Sequence, residues 1–162
     1  MSRKKILVSA CLLGERVRYN SEILPDCPSI LKKWDQEGLV IPVCPEVIGG
    51  LSVPRAPSEI PGGNGEDVLA GNAKVVNIHG QDVTQAFLTG AREALRLAEE
   101  NAVEYAILKA HSPSCGSKMI YDGSFSGSLI KGQGVTAALL AQSGIQVFNE
   151  KEIDKVASLM DG

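Results

Sequence analysis

Three apolar runs, at residues 4–9, 39–43 and 104–109, each lead into a cysteine: Cys11, Cys44 and Cys115. Their centres, Ile6-Leu7-Val8, Val40-Ile41 and Tyr105-Ala106-Ile107-Leu108, are too continuously apolar for a sheet with one wet face. Such runs suit strands covered on both sides, as in a parallel sheet. Strands of that kind require helices on each face. The sequence supplies them at 29–37, 82–101 and 135–142 and in a terminal segment after Asn149. The alternation predicts an α/β fold: a single three-layer α/β/α Rossmann-like domain over residues 1–162 with a mostly parallel sheet. Aromatic residues make up only 4% of the chain, which points to an aliphatic core.

The helix at 29–37 carries Ile30, Leu31 and Trp34 on one face and stops at Gly38. Asp82 and Gln85 have the spacing of a capping box before a helix whose apolar face includes Val83, Phe87, Ala91, Ala94 and Ala98. A last short strand is expected at 146–148, and Asn149 with a following Glu forms a second cap pair. Residues 73–78 suit an edge strand. Segments 48–71 and 111–134 are rich in Gly with Pro or Ser and show neither helical nor strand period, so both are expected as long loops. Loops of that length inside a compact domain are usually functional. Residues 14–28 are polar and turn-rich and contain Cys27.

A net charge of −3 argues against the broad basic surface that stable nucleic-acid binding needs. No apolar run approaches the ~18 residues of a membrane span, so a cytoplasmic protein is expected. Nothing in the sequence bears on oligomeric state. Four cysteines in such a chain suit metal ligation, catalysis or core packing better than a disulfide framework. Ligand sites of open parallel sheets lie beyond the carboxyl ends of the strands. There Cys11, Cys44 and Cys115 would meet. The absence of Cys-x-x-Cys gives no support to a zinc ribbon, a thioredoxin-type pair or a ferredoxin-type run.

Three thiolates arriving from separate loops suit a cluster in a preformed cavity, with one iron of a four-iron cluster left open as a Lewis acid. Glu46, two residues after Cys44, is placed to take a proton from water, although a lone loop Glu is commonly a surface carboxylate. Ser112 and Ser114 can donate hydrogen bonds to a ligand, or can simply shape a turn. Arg55, Glu59, Lys109, Lys118 and Lys131 are charges able to meet a ligand or water. Gly132-x-Gly134 opens a helix and can present N–H groups to an anion. Two other classes are compatible with these residues. One is a non-enzymatic iron-sulfur or zinc module closed by Cys27. The other is a metal-free hydrolase or sulfur transferase using Cys115 with His111.

Val8-Ser-Ala-Cys-Leu-Leu-Gly14, Val43-Cys-Pro-Glu-Val-Ile-Gly-Gly50, Pro54-Arg-Ala-Pro57, Ser112-Pro-Ser-Cys-Gly116 and Tyr121-Asp-Gly-Ser-Phe-Ser-Gly127 occur in the order found in the small bacterial family associated with thiouracil desulfidase. The chain resembles that family over nearly its whole length. The one local departure is Tyr19-Asn20-Ser21, where an Asp-Gly or Asn-Gly turn is expected. The resemblance implies a 4Fe-4S cluster held by Cys11, Cys44 and Cys115, with Glu46 as acid/base and Ser112 assisting the substrate. It implies metal-assisted hydrolysis of the thiocarbonyl of a thiopyrimidine (thiouracil, thiouridine or thio-UMP), giving the oxo base and sulfide without net electron transfer.

Overall fold

The computed structural model describes residues 4–13 and 29–161. Its centre is four short parallel strands, β1 (Ile6–Ser9), β2 (Val40–Val43), β5 (Tyr105–Leu108) and β8 (Gln146–Asn149), in the order β2-β1-β5-β8. Ile6 lies opposite Val40 on one side and Tyr105 on the other, so the three strands that precede the cysteines are in register. All four residues of β1 and of β5 are buried, which explains their unbroken apolar character.

Alternate residues of these strands feed two separate cores. Ile6, Val8 and Ile107 point to one face, where they meet Leu31 and Trp34 of α1 (Ser29–Gln36) and Val156 of α6 (Ile153–Asp161). Leu7, Ala106 and Leu108 face the other way, against Ala94 and Ala98 of α4 (Thr84–Glu100) and Leu140 of α5 (Val135–Gln142). The alanines let α4 approach the sheet closely, and each fully buried Ile or Leu contributes about 1.5–3 kcal/mol. The result is the expected three-layer α/β/α arrangement. Among the described residues no helix is long and apolar enough to cross a membrane.

The irregular segments are more ordered than their composition suggests. Segment 48–71, expected as a loop, contains β3 (Ser58–Glu59) and α3 (Gly65–Leu69), the latter started by an Asn64/Asp67 capping box. The strand expected at 73–78 shrinks to β4 (Val76–Asn77), which pairs antiparallel with β3 outside the main sheet. Segment 111–134 holds an antiparallel hairpin of β6 (Met119–Tyr121) and β7 (Leu129–Lys131). These pieces pack on α4 and α5 through a third core of Ile60, Val68, Val75, Phe87, Ile120 and Val135.

Of the two expected caps, one forms. Asn149 and Glu152 make a capping box on the single 3-10 turn leading into α6. At the other, α4 has Val83 as its N-cap with no side-chain bond, and Asp82 instead accepts the Thr84 N–H at 2.9 Å. Gln85 does not reach back, because the preceding chain is already fixed by Thr84 Oγ1, which accepts the Val75 N–H at 3.0 Å. The turn-rich stretch 14–28, with Cys27 and Tyr19-Asn20-Ser21, lies outside the described residues.

Candidate active site

The main sheet changes direction at β1: the chain runs outward to β2, then returns to place β5 on the opposite side. A crevice opens at the carboxyl ends of strands at such a switch point. Here it is a cavity of about 420 Å³ lined by Cys11, Cys44 and Cys115 together with Glu46, His111 and Ser112. That volume suits a small ligand.

Each thiol is set by the element that follows its strand. Cys11 lies in the 3-10 turn Ala10–Leu13 directly after β1. Cys44 is the N-cap of α2 (Pro45–Ile48), and Pro45 begins that turn without a wasted N–H. Cys115 lies in the tight segment 112–116, fastened to the start of α5. Val135 N–H donates to Pro113 O at 2.7 Å, Thr136 and Ala137 N–H groups to Ser114 O at 2.9 and 3.1 Å, and Gly134 N–H to Gly116 O at 2.8 Å. These are the donors that Gly132-x-Gly134 offered to an anion. They are spent on the cysteine segment, so the anion reading fails there.

Within that segment Ser112 and Ser114 part company. Ser112 Oγ accepts the Cys115 N–H at 2.7 Å and lines the cavity. Ser114 is turned into the core, where its hydroxyl meets that of Thr136 at 2.9 Å. Ser9, whose role the sequence did not reveal, accepts the Lys109 N–H at 2.9 Å and donates to Cys115 Sγ at 3.7 Å. It thereby ties β1 to β5 at the level of the thiol.

The electrostatics show how closely these groups gather. Burial pushes the Cys115 thiol up to about 12; the Glu46 carboxylate and the Cys44 and Cys11 sulfurs add to the rise, against the Ser9 hydrogen bond. Burial likewise raises Cys44. A nucleophilic cysteine needs the opposite, a depressed thiol beside a cation or base. His111 lines the cavity, yet it stands edge-on to Tyr121 with ring centroids 6.2 Å apart, and the hydrogen bond to Cys115 Sγ comes from Ser9. These facts disfavour the metal-free Cys115/His111 enzyme.

The three cysteines are thiols rather than disulfides. Among the described residues no three His, Cys, Asp or Glu side chains converge as ligands of a single ion would. Three soft sulfur donors lining one cavity fit an iron-sulfur cluster, in which each thiolate takes a different iron.

Glu46 is not the surface carboxylate that a loop Glu usually is. It sits in the first turn of α2 with its side chain 15% exposed, and Arg55, 8% exposed, binds it. Arg55 Nε reaches Glu46 Oε2 at 2.8 Å, and Nη2 closes on the same oxygen. Lys109 pairs with Glu150 at 2.9 Å and Lys118 with Glu152 at 3.0 Å, so both act as braces. Lys131 is exposed at the end of β7. Glu59 is buried and accepts backbone N–H groups of Gly123 and Phe125. Two lining residues, Tyr121 and Phe125, entered the sequence reading only as part of the motif Tyr121-Asp-Gly-Ser-Phe-Ser-Gly127, without a role of their own; the available signal was two aromatics inside an otherwise polar Gly/Ser segment.

Fold and site together define the class: a Rossmann-like α/β protein with three thiols gathered at the switch point of its sheet. The chain belongs to the 2-thiouracil desulfurase family, whose model matches residues 6–152. It is 48% identical over 151 residues to YbbK of Bacillus subtilis (strain 168), covering 93% of this chain and 99% of that protein. Among solved structures it is similar to the 4Fe-4S-dependent thiouracil desulfidase TudS, with 42% identity, a TM-score of 0.88, and coverage of 98% of this chain and 99% of the other.

Proposed function

We propose that this protein is a 4Fe-4S-dependent thiouracil desulfidase. It removes sulfur from thiolated pyrimidines hydrolytically, with Cys11, Cys44 and Cys115 holding the cluster and Glu46 and Ser112 serving catalysis. The supporting observation is the gathering of these five side chains around one cavity, in a chain 42% identical to a thiouracil desulfidase over 98% of its length. Residues 1–162 act as one domain. Oxygen-sensitive chemistry and ligation by thiolates rather than disulfides suit a reducing, cytoplasmic setting.

When bound, the cluster supplies a Lewis-acidic iron with affinity for sulfur, because three protein thiolates leave one of four irons open. The protein supplies the rest. The net reaction adds the oxygen of water to the thiocarbonyl carbon and releases sulfide, so C=S and H2O become C=O and hydrogen sulfide with no change in electron count. Arg55 occupies Oε2 of Glu46 and fixes the carboxylate. Oε1 takes the proton of the attacking water, as a general base. Ser112 has a lone pair committed to the Cys115 N–H. Its own O–H therefore acts as a donor into the cavity, toward a ring nitrogen or the exocyclic atom of the substrate. Partial burial of Glu46, its side chain 15% exposed, strengthens its interactions over those in bulk water.

The test is anaerobic reconstitution with iron and sulfide, followed by measurement of sulfide and oxo-base release from 2-thiouracil, 4-thiouracil and thiouridine monophosphate. Cys115→Ala is expected to lose the brown cluster absorbance and turnover together. Glu46→Ala is expected to keep the absorbance and lose turnover by about 10²-fold or more. A fully active Glu46→Ala enzyme removes the base assignment, and a reconstituted wild-type protein inert toward all three substrates removes the function.

A further inference from the structure

The described aromatic residues divide into two sets. Trp34, Tyr105, Phe87 and Phe148 belong to the hydrophobic cores, whereas Tyr121 and Phe125 line the cavity. Tyr121 is engaged edge-on with His111. Phe125 is held in an unusual way: its φ is +56°, in the left-handed region that aromatic L-residues rarely adopt. What holds it is Glu59, 8% exposed, whose Oε1 accepts the N–H groups of both Gly123, at 2.9 Å, and Phe125, at 3.2 Å.

Two backbone donors closing on one carboxylate oxygen form an anion-binding concavity, occupied here by a side chain of the other long segment. The two segments touch so closely at this point that a Cβ on Gly123 would lie 2.3 Å from Pro61 Cα. On the outer side the turn is braced by Asp122, which accepts the Ser124 N–H at 2.9 Å and hydroxyl at 2.6 Å. A buried carboxylate and a strained backbone are thus both committed to the placement of one aromatic ring at the cavity wall.

We propose that Phe125 is the platform on which the flat ring of the substrate stacks, and that Glu59 is the positioning residue that fixes this platform. The inference rests on the desulfidase reading above and adds to it a determinant of specificity for planar heteroaromatic rings. Stacking of a base on an aromatic face tolerates any ring substituent and acts equally on ground and transition states, so its loss appears in KM and not in kcat.

The holoenzyme carrying Phe125→Ala is expected to show a KM for thiouracil raised about tenfold or more, with kcat within about threefold of wild type. Phe125→Trp is expected to keep the wild-type KM. Glu59→Leu should raise KM as Phe125→Ala does, and Glu59→Gln, which retains an acceptor oxygen, should recover most of the loss. Calorimetric titration of uracil into each holoenzyme gives a readout independent of turnover, and its Kd should follow the same order. An active wild-type enzyme whose Phe125→Ala variant keeps wild-type KM and Kd overturns the stacking proposal alone. A wild-type protein that neither binds uracil nor releases sulfide overturns it together with the desulfidase reading. One that binds uracil without turnover overturns only that reading, and the Kd series still decides on Phe125.

Discussion

Arg55 and Glu46 behave as one unit: the guanidinium meets the carboxylate through two nitrogens and anchors itself on Ser52 O at 3.1 Å through a third. A lysine carries the charge but not the fork. Arg55→Lys is therefore expected to leave cluster content unchanged while lowering kcat by about 10²-fold through a misplaced carboxylate, read by parallel iron analysis and steady-state kinetics. Arg55→Ala should also lower the Tm, since removing one member of a buried pair strands the other. At this scale the sequence was partly legible. Glu46 could be placed at the cavity rim because it follows a strand-end cysteine by two residues. Its pairing with Arg55 could not, because the eight intervening positions have no period from which a direction can be read. By spacing alone Ser112 and Ser114 looked equivalent on either side of Pro113; the resemblance singled out Ser112, and the tertiary fit of Ser114 to Thr136 supplies the physical reason.

The elements that carry the thiols are held by close backbone contacts more than by their own propensities. Helix α2 is four residues long, below the length at which an isolated helix persists, and is kept in place by α4. The contact requires Gly90, in the middle of α4, where a Cβ would lie 2.0 Å from Pro45 O. By propensity Gly90→Ala should stabilise the helix by up to about 1 kcal/mol. The expected outcome is the reverse: a lower Tm by thermal denaturation and a reduced iron content after reconstitution, because α2 must shift and carry Cys44 and Glu46 with it. Elements of this sort also mark what sequence patterns reveal. The central strands β1 and β5 were evident because burial on both faces leaves an unmistakable apolar run. Of the two small pairs only β4 was foreshadowed, inside the longer edge strand expected at 73–78; β3, β6 and β7 were not, since strands of two or three residues in Gly-rich surroundings are too short to show alternation. The same shortness lets their loops reach the cavity.

In the whole molecule, the corner that holds Cys115 depends on charges from the far end of the chain. Glu150 pairs with Lys109 and accepts the Ala110 N–H at 2.9 Å, just beyond β5, while Glu152 pairs with Lys118, three residues after Cys115. Burial opposes the charge on both carboxylates, but the lysines and backbone N–H groups outweigh it and hold both below the ordinary carboxylate range. A group whose folded-state value is depressed stabilises fully above its unfolded value, about 4.3 for Glu, and loses that contribution as pH falls through the folded value. Each partly exposed pair is worth at most about 1 kcal/mol. Followed by Tm, the double variant Glu150→Gln/Glu152→Gln should therefore unfold below the wild-type temperature at pH 7. The difference should shrink steadily as the pH is lowered past about 4, because the wild-type carboxylates are then protonated as well. A difference that persists undiminished at pH 3 would mean that packing or neutral hydrogen bonds, and not charge, fasten the end of the chain to the Cys115 segment.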